Sequence, residues 1–253
     1  RRVVDHIADI NLAYTENARR YLISEGFNRD NVYVTGSPMT EVLAANAAAI
    51  AGSDVLARMG LEAGGYFVVS MHREENVDNP ERLAGLVAAL NAVAAQYGKP
   101  LVFSCHPRTR GRLSASGLEL DALVREVEPL DFFDYNKLQQ DAYCVLSDSG
   151  TVPEEGAILG FPAVSMRDST ERPEALDGGG VVLGGVDVDG ILGAIELAVK
   201  LGVRTHGVAL PESPEPYDAC AVRDYRDTNV AEKVVKIIAS YTRIVAGRVW
   251  GRG

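Results

Sequence analysis

Cysteine, tryptophan and histidine are scarce in this chain, with three, one and four among 253 residues. Three cysteines cannot all pair, so a disulfide scaffold is excluded, and Cys105 and Cys144 lie inside apolar, strand-like runs. Buried free thiols in a reducing compartment are the expectation for them. No apolar run reaches the roughly 18 residues that span a bilayer, and no basic–apolar–small leader opens the chain. A cytoplasmic protein without membrane association is therefore expected. Positive charge is short as well. The 25 Lys and Arg face 35 Asp and Glu, and a formal net charge of −10 argues against a nucleic-acid binder. An anionic small molecule would need a local basic cluster. An initiator methionine is also missing, since the chain opens Arg1-Arg2-Val3-Val4, and it is read as a fragment or a processed chain.

What is present is a repeated switch between short β-branched runs and longer amphipathic ones. Strands are predicted at 66–71, 101–105, 143–147, 162–166 and 180–183, with another at 31–34. Helices are predicted over 7–25, 80–97, 135–140, 152–159, 188–201 and 229–245. Asn79 can cap the 80–97 helix, Pro80 suits its first position and Gly98 its end. Continuous apolar strands alternating with helices point to an α/β fold with a parallel sheet covered on both faces. Gly36-Ser37-Pro38 reads as a break, and the chain loosens at Pro211, Pro214 and Pro216. The last helix either packs across onto another element or completes the cover of the sheet.

Ligands of open parallel sheets sit beyond the carboxyl ends of the strands. Three polar clusters fall there: His72-Arg73-Glu74-Glu75-Asn76, His106-Pro107-Arg108-Thr109-Arg110, and Asp148-Ser149-Gly150-Thr151-Val152-Pro153-Glu154-Glu155. In the third, Gly150 allows close backbone approach to a ligand, and Thr151 with Glu154 has capping-box spacing. Free N–H groups at the start of that helix suit a phosphate. A carboxylate such as Glu155, one turn in, could reach sugar hydroxyls. His72, Arg73, His106, Arg108, Arg167 and Arg172 supply positive charge that could focus a diphosphate. Neither a Walker loop nor a Gly-x-Gly-x-x-Gly follows a strand, which argues against a nicotinamide or flavin cofactor. His72 and His106 lack a Cys or third His at ligand spacing, so no metal is expected.

These clusters resemble the nonhydrolysing UDP-N-acetylglucosamine 2-epimerase family. Ser147-Asp148-Ser149-Gly150-Thr151-Val152-Pro153-Glu154-Glu155 matches the family's Thr-Asp-Ser-Gly-Gly-x-x-Glu-Glu, and Arg167-Asp168-Ser169-Thr170-Glu171-Arg172-Pro173-Glu174 is similar to its Arg-Asp-x-Thr-Glu-Arg-Pro-Glu. His72-Arg73-Glu74-Glu75-Asn76 is similar to its His-Arg-Arg/Glu-Glu-Asn/Ser, and with Cys105-His106-Pro107 it is nearer a subgroup acting on UDP-2-acetamido-2,6-dideoxy-L-hexoses. The resemblance implies a two-lobed, GT-B-like Rossmann-type architecture. Residues 1–36 would end the N-terminal lobe, 37–228 would form the UDP-binding C-terminal lobe, and 229–253 a helix crossing back.

The same resemblance implies roles residue by residue. His72 would be the active-site histidine beside the diphosphate, with Arg73 and His106 nearby. Ser149 and Gly150 would form the phosphate loop, with Thr151 in place of its second Gly. Glu155 would hold the ribose, Arg172 would face the nucleotide sugar, Tyr135 would lie against uracil, and Leu130 would meet the base through its backbone. The implied reaction inverts C2 of a UDP-2-acetamido sugar by eliminating UDP to a 2-acetamidoglycal and adding it back, without a cofactor, in a homodimer. The family's N-terminal lobe, with the carboxylates that move the C2 proton, has no counterpart in these residues, so the chain alone is expected to be inactive. A GT-B glycosyltransferase and a noncatalytic UDP-sugar-binding module are the alternatives.

Overall fold

The computed structural model describes residues 2–177, 181–205 and 222–251. The expected loosening at Pro211, Pro214 and Pro216, the start of the strand at Gly180, and Cys220 lie outside the described residues. The chain divides into two compact units, one made of residues 1–45 with 222–253 and the other of residues 46–221.

In the smaller unit, β1 (Asn11–Ala13) and β2 (Val32–Val34) pair in parallel, with Leu12 opposite Tyr33. This corrects the expectation of one helix over 7–25. A helix at Arg2–Ile7 stops, β1 intervenes, and a second helix runs from Glu16 to Ser24. The cause is local capping. The Thr15 hydroxyl accepts the Ala18 N–H at 3.1 Å, and Asp224 accepts the Glu16 N–H at 2.7 Å, so a helix start is fixed at that point. The C-terminal segment is fastened into this unit by polar contacts. Thr40 Oγ1 donates to the Tyr225 carbonyl at 2.6 Å, and Lys233 Nζ to the Thr35 carbonyl at 3.2 Å. The helix Val230–Arg248 has no side-chain cap from Asn229; the Glu41 carboxylate accepts the Ala231 N–H at 3.0 Å instead. Further along, this helix leaves Val235, Ile238 and Ile244 exposed, and a groove of about 580 Å³ runs between it and residues Asp9 to Leu12.

The larger unit holds β3 (Phe67–Ser70), β4 (Leu101–Ser104), β5 (Val124–Val127), β6 (Cys144–Ser147), β7 (Ala163–Ser165) and β8 (Val181–Leu183). All neighbours are parallel, in the order β5-β4-β3-β6-β7-β8. The chain therefore builds outward from β3 to one edge, returns to the other side of β3, and builds outward again. Alternate residues serve opposite faces. Phe67, Val69, Phe103 and Leu146 join the helices Pro80–Tyr97 and Val188–Thr205 in one core, while Val68, Val102 and Val145 join Leu138, Val152 and Phe161 in the other. Burial on both faces is why these strands read as unbroken apolar runs. The cap of the Pro80–Tyr97 helix forms as expected: the Asn79 side chain accepts from the N–H of Glu81 and Arg82, and Gly98 closes the helix at φ +60°. Cys105 and Cys144 are buried free thiols.

Candidate functional site

Two loops leave the sheet side by side where the strand order reverses. β3 ends at Ser70 and β6 at Ser147, and these residues are register partners. Beyond them the first loop is wrapped around one carboxylate. Asp148 is fully buried, and it accepts the His72 N–H at 3.1 Å, the Arg73 N–H at 3.0 Å and Asn76 Nδ2 at 3.1 Å. These donors compensate a charge that would otherwise be costly to bury. His72 Nδ1 lies 3.3 Å from Asp148 Oδ1. The ring is half-exposed, and the two groups form an ion pair only when the imidazole is protonated.

The arginines separate into one anchor and two partly open forks. Arg167 is buried and grips Glu171 with Nη1 at 2.6 Å and Nη2 at 2.9 Å. That pairing, helped by Arg73, holds the Glu171 carboxyl down at about 2. Arg73 reaches Glu171 at 3.2 Å and Glu75 at 3.6 Å, with 26% of its side chain exposed. Arg172 places Nε and Nη2 each 3.2 Å from the buried Glu154 carboxylate, with 25% exposed. Gly150 sits among them. A Cβ there would come 3.1 Å from Arg73 Nη2 and 3.4 Å from Glu171 Oε2, so the glycine supplies room for the ion pairs. Its φ is not in the left-handed region.

The capping box expected of Thr151 and Glu154 does not form. Thr151 already has helical φ and ψ and makes no side-chain cap, because its hydroxyl pairs with Ser149 Oγ at 3.0 Å. Glu154 turns instead to Arg172. Glu155, further along the first turn, is half-buried, and burial raises its carboxyl pKa, while Gln139 and Thr151 draw it back down. Gln139 Nε2 donates to Glu155 Oε2 at 3.0 Å. Tyr135, on the same helix as Gln139 (Phe132–Asp141), packs its half-buried ring against the second core, with its hydroxyl beside Ser70 at the end of β3.

His72, Arg73, Tyr135, Ser149, Gly150, Thr151, Glu155 and Arg172 are thus drawn toward the ends of β3 and β6. Two expected residues stand differently. His106, at the end of β4, uses Nδ1 to accept the Arg108 N–H at 3.2 Å and so caps the helix Pro107–Ser116. Leu130 packs against the second core in the connection before the Phe132–Asp141 helix. Sequence reasoning passes over Asp148, Asn76 and Gln139 as functional side chains. A signal existed for Asp148, a carboxylate placed directly after a wholly apolar strand. None existed for Gln139, whose partner lies on another helix. Among the described residues, no group of three or more His, Cys, Asp or Glu is placed to hold a metal ion, and no helix is long and apolar enough to cross a membrane.

A parallel sheet in this order, with polar loops at the reversal, defines a Rossmann-type α/β fold. The chain belongs to the UDP-N-acetylglucosamine 2-epimerase family, whose family model matches residues 1–239. It is 31% identical over 207 residues to the UDP-N-acetylglucosamine 2-epimerase of Methanococcus maripaludis, across 79% of this chain and 57% of that one. The structure of the UDP-N-acetylglucosamine 2-epimerase from Rickettsia bellii matches with a TM-score of 0.84 at 34% identity, over 99% of this chain and 64% of that chain. The Methanocaldococcus jannaschii UDP-GlcNAc 2-epimerase, solved in complex with UDP-GlcNAc and UDP, matches with a TM-score of 0.79 at 28% identity, over 95% of this chain and 63% of that chain. The chain therefore spans less than two thirds of these relatives. Over that span, the GT-B-like α/β fold expected from the sequence is the fold found.

Proposed function

We propose that this chain is the UDP-binding part of an epimerase that inverts C2 of a UDP-2-acetamido sugar. The observation that carries the reading is the convergence of the β3 and β6 loops on buried Asp148, which aims His72, Arg73 and the Ser149–Thr151 segment at one crevice. The C2 hydrogen of such a sugar is weakly acidic. Its removal becomes feasible only if the charge arriving on the departing diphosphate is neutralised as the C1–O bond breaks. Arg73 and Arg172 supply that neutralisation, and His72 adds to it when protonated. Pro153 has no N–H, and the N–H groups of Glu154 and Glu155 both turn to the Thr151 carbonyl, which leaves those of Gly150 and Val152 for phosphate oxygens. Glu155 takes the ribose hydroxyls and Tyr135 the uracil, with Leu130 lending its backbone. His106 lies at the outer rim.

Elimination forms a C1=C2 double bond and free UDP; re-addition with a proton delivered to the opposite face gives the epimer. These residues supply leaving-group stabilisation. The family resemblance assigns the proton-moving carboxylates to the remainder of the longer protein, which it also makes a homodimer. Buried free Cys105 and Cys144 support a cytoplasmic setting.

Calorimetry of the chain with UDP, uridine and ADP tests the binding half. UDP should bind, and uridine should bind far more weakly. Incubating the longer protein with UDP-GlcNAc or its 6-deoxy analogue in D₂O, without acceptor, tests the chemistry. Deuterium at C2 supports an epimerase, whereas sugar transfer only on adding an acceptor supports a glycosyltransferase.

A further inference from the structure

Gln139 is fully buried, yet only half of its amide is used. Nε2 donates to Glu155 at 3.0 Å, while Oε1 has no hydrogen-bond partner. An orphaned buried carbonyl is unfavourable and calls for a cause. A leucine of similar volume would fill the same space without it. The orientation is fixed by chemistry, since turning the amide over would press its oxygen against the carboxylate. The cost of the orphan is therefore tied to the donor that Glu155 receives.

We propose that Gln139 is a positioning residue that holds Glu155 as an ionised, two-oxygen acceptor for the ribose cis-diol of a nucleoside diphosphate. This rests on the reading that Glu155 binds ribose. A carboxylate accepts from both hydroxyls of a diol, whereas a neutral carboxyl presents one acceptor and one competing O–H. Burial drives Glu155 toward the neutral form, and the neighbouring Glu154 pushes in the same direction. The groups that oppose this are Gln139, from the Phe132–Asp141 helix, and Thr151, from the start of its own helix. Tyr135, the other titratable group facing Glu155, is kept neutral by burial, and Arg172 is turned to Glu154. Gln139 lies one helical turn beyond Tyr135, so both project from one side of a rigid element. The base-side and ribose-side contacts are thereby set by a single helix.

The test compares UDP with 2′,3′-dideoxy-UDP by calorimetry across pH, in the wild-type chain, Gln139→Leu and Glu155→Gln. Near pH 7 the wild type should prefer UDP, and Gln139→Leu should lose at least about tenfold of that preference, the scale of one charge-assisted hydrogen bond. The preference should return as the pH is raised, because Glu155 then ionises without the help of Gln139. A structural role would weaken both nucleotides equally at every pH, and that result, or an unchanged preference, overturns the proposal. If Gln139→Leu fails to fold, Gln139→Met keeps the unbranched stem and carries the same comparison. Should Glu155→Gln leave the preference intact, the ribose reading itself fails. Carbon-13 NMR of the Glu155 carboxyl then still decides the role of Gln139, because its titration must move upward in the Leu or Met variant and an unmoved titration refutes the coupling.

Discussion

Asp148→Asn puts the architecture of the crevice under direct test. In the native protein, Oδ2 accepts the Arg73 N–H at 3.0 Å and Asn76 Nδ2 at 3.1 Å, and the His72 N–H is shared between Oδ1 at 3.1 Å and Oδ2 at 3.2 Å. An asparagine must present an NH₂ to one of these sides. The less costly rotamer keeps its oxygen on Arg73 and Asn76 and sets NH₂ against the His72 N–H. That removes one arm of the shared His72 hydrogen bond and the carboxylate charge from the bonds that remain, about 1.5–3 kcal/mol together. The expected loss is therefore about 1.5–3 kcal/mol. Urea unfolding of the variant against the wild type measures it. His72→Ala is the control: it removes only a contact from a half-exposed ring and should cost less than about 1 kcal/mol. An Asp148→Asn protein within about 1 kcal/mol of the wild type would mean that Asp148 does not organise the loop.

Arg172→Lys should leave the fold intact but replace a planar fork with a point charge, so UDP binding should weaken more than uridine binding in calorimetry. Equal losses would make Arg172 a structural partner of Glu154 alone. Acid should weaken the protein through Glu171, whose carboxyl lies at about 2 instead of the ordinary 4.5. A depressed pKa means that the stabilisation is complete above pH 4.5 and disappears as pH falls toward about 2. Urea midpoints measured down this range should fall less steeply in Glu171→Gln than in the wild type.

The legible parts of the fold are those where one local signal governs. The Pro80–Tyr97 helix carries its cap, its first-turn proline and its terminating glycine within its own sequence, and it forms where expected. β3, β4 and β6 are apolar on both faces because both faces are covered, so their pattern cannot be mistaken for a surface element. β5 escaped notice because Arg125 and Glu126 are exposed on an edge strand, which leaves too few apolar residues to make a period. The break at β1 was hidden because the caps that produce it include Asp224, which lies more than two hundred residues away in the sequence. Strand order was equally beyond local reading, and it is strand order that turns three separate polar clusters into a crevice with a rim. The clusters after β3 and β6 meet on Asp148, while the one after β4 joins the β3 loop from the other side, through Arg108 on Glu74 and Thr109 on the Met71 carbonyl, and its His106 serves its own helix.

Tyr135 offers the clearest separation between a residue that binds and one that only supports. Its hydroxyl lies beside Ser70 at the end of β3, and its ring packs on the second core. If the ring is the platform for a base, Tyr135→Phe should retain UDP affinity, because the π-face survives the loss of the hydroxyl. Tyr135→Ala should lose about 1–3 kcal/mol of binding, the value of base–aromatic stacking. Uridine should lose as much as UDP, since stacking is indifferent to phosphate. If Tyr135 acts only by fixing the end of β3, the pattern inverts. Tyr135→Phe then weakens UDP by loosening the loop that carries His72 and Arg73, and uridine, which lacks the diphosphate those residues face, is spared. Thermal unfolding of both variants accompanies the calorimetry, because the alanine also opens a cavity and must be shown folded before its affinity counts. A folded Tyr135→Ala protein that binds UDP within about twofold of the wild type would remove Tyr135 from the site and leave base recognition to the backbone around Leu130.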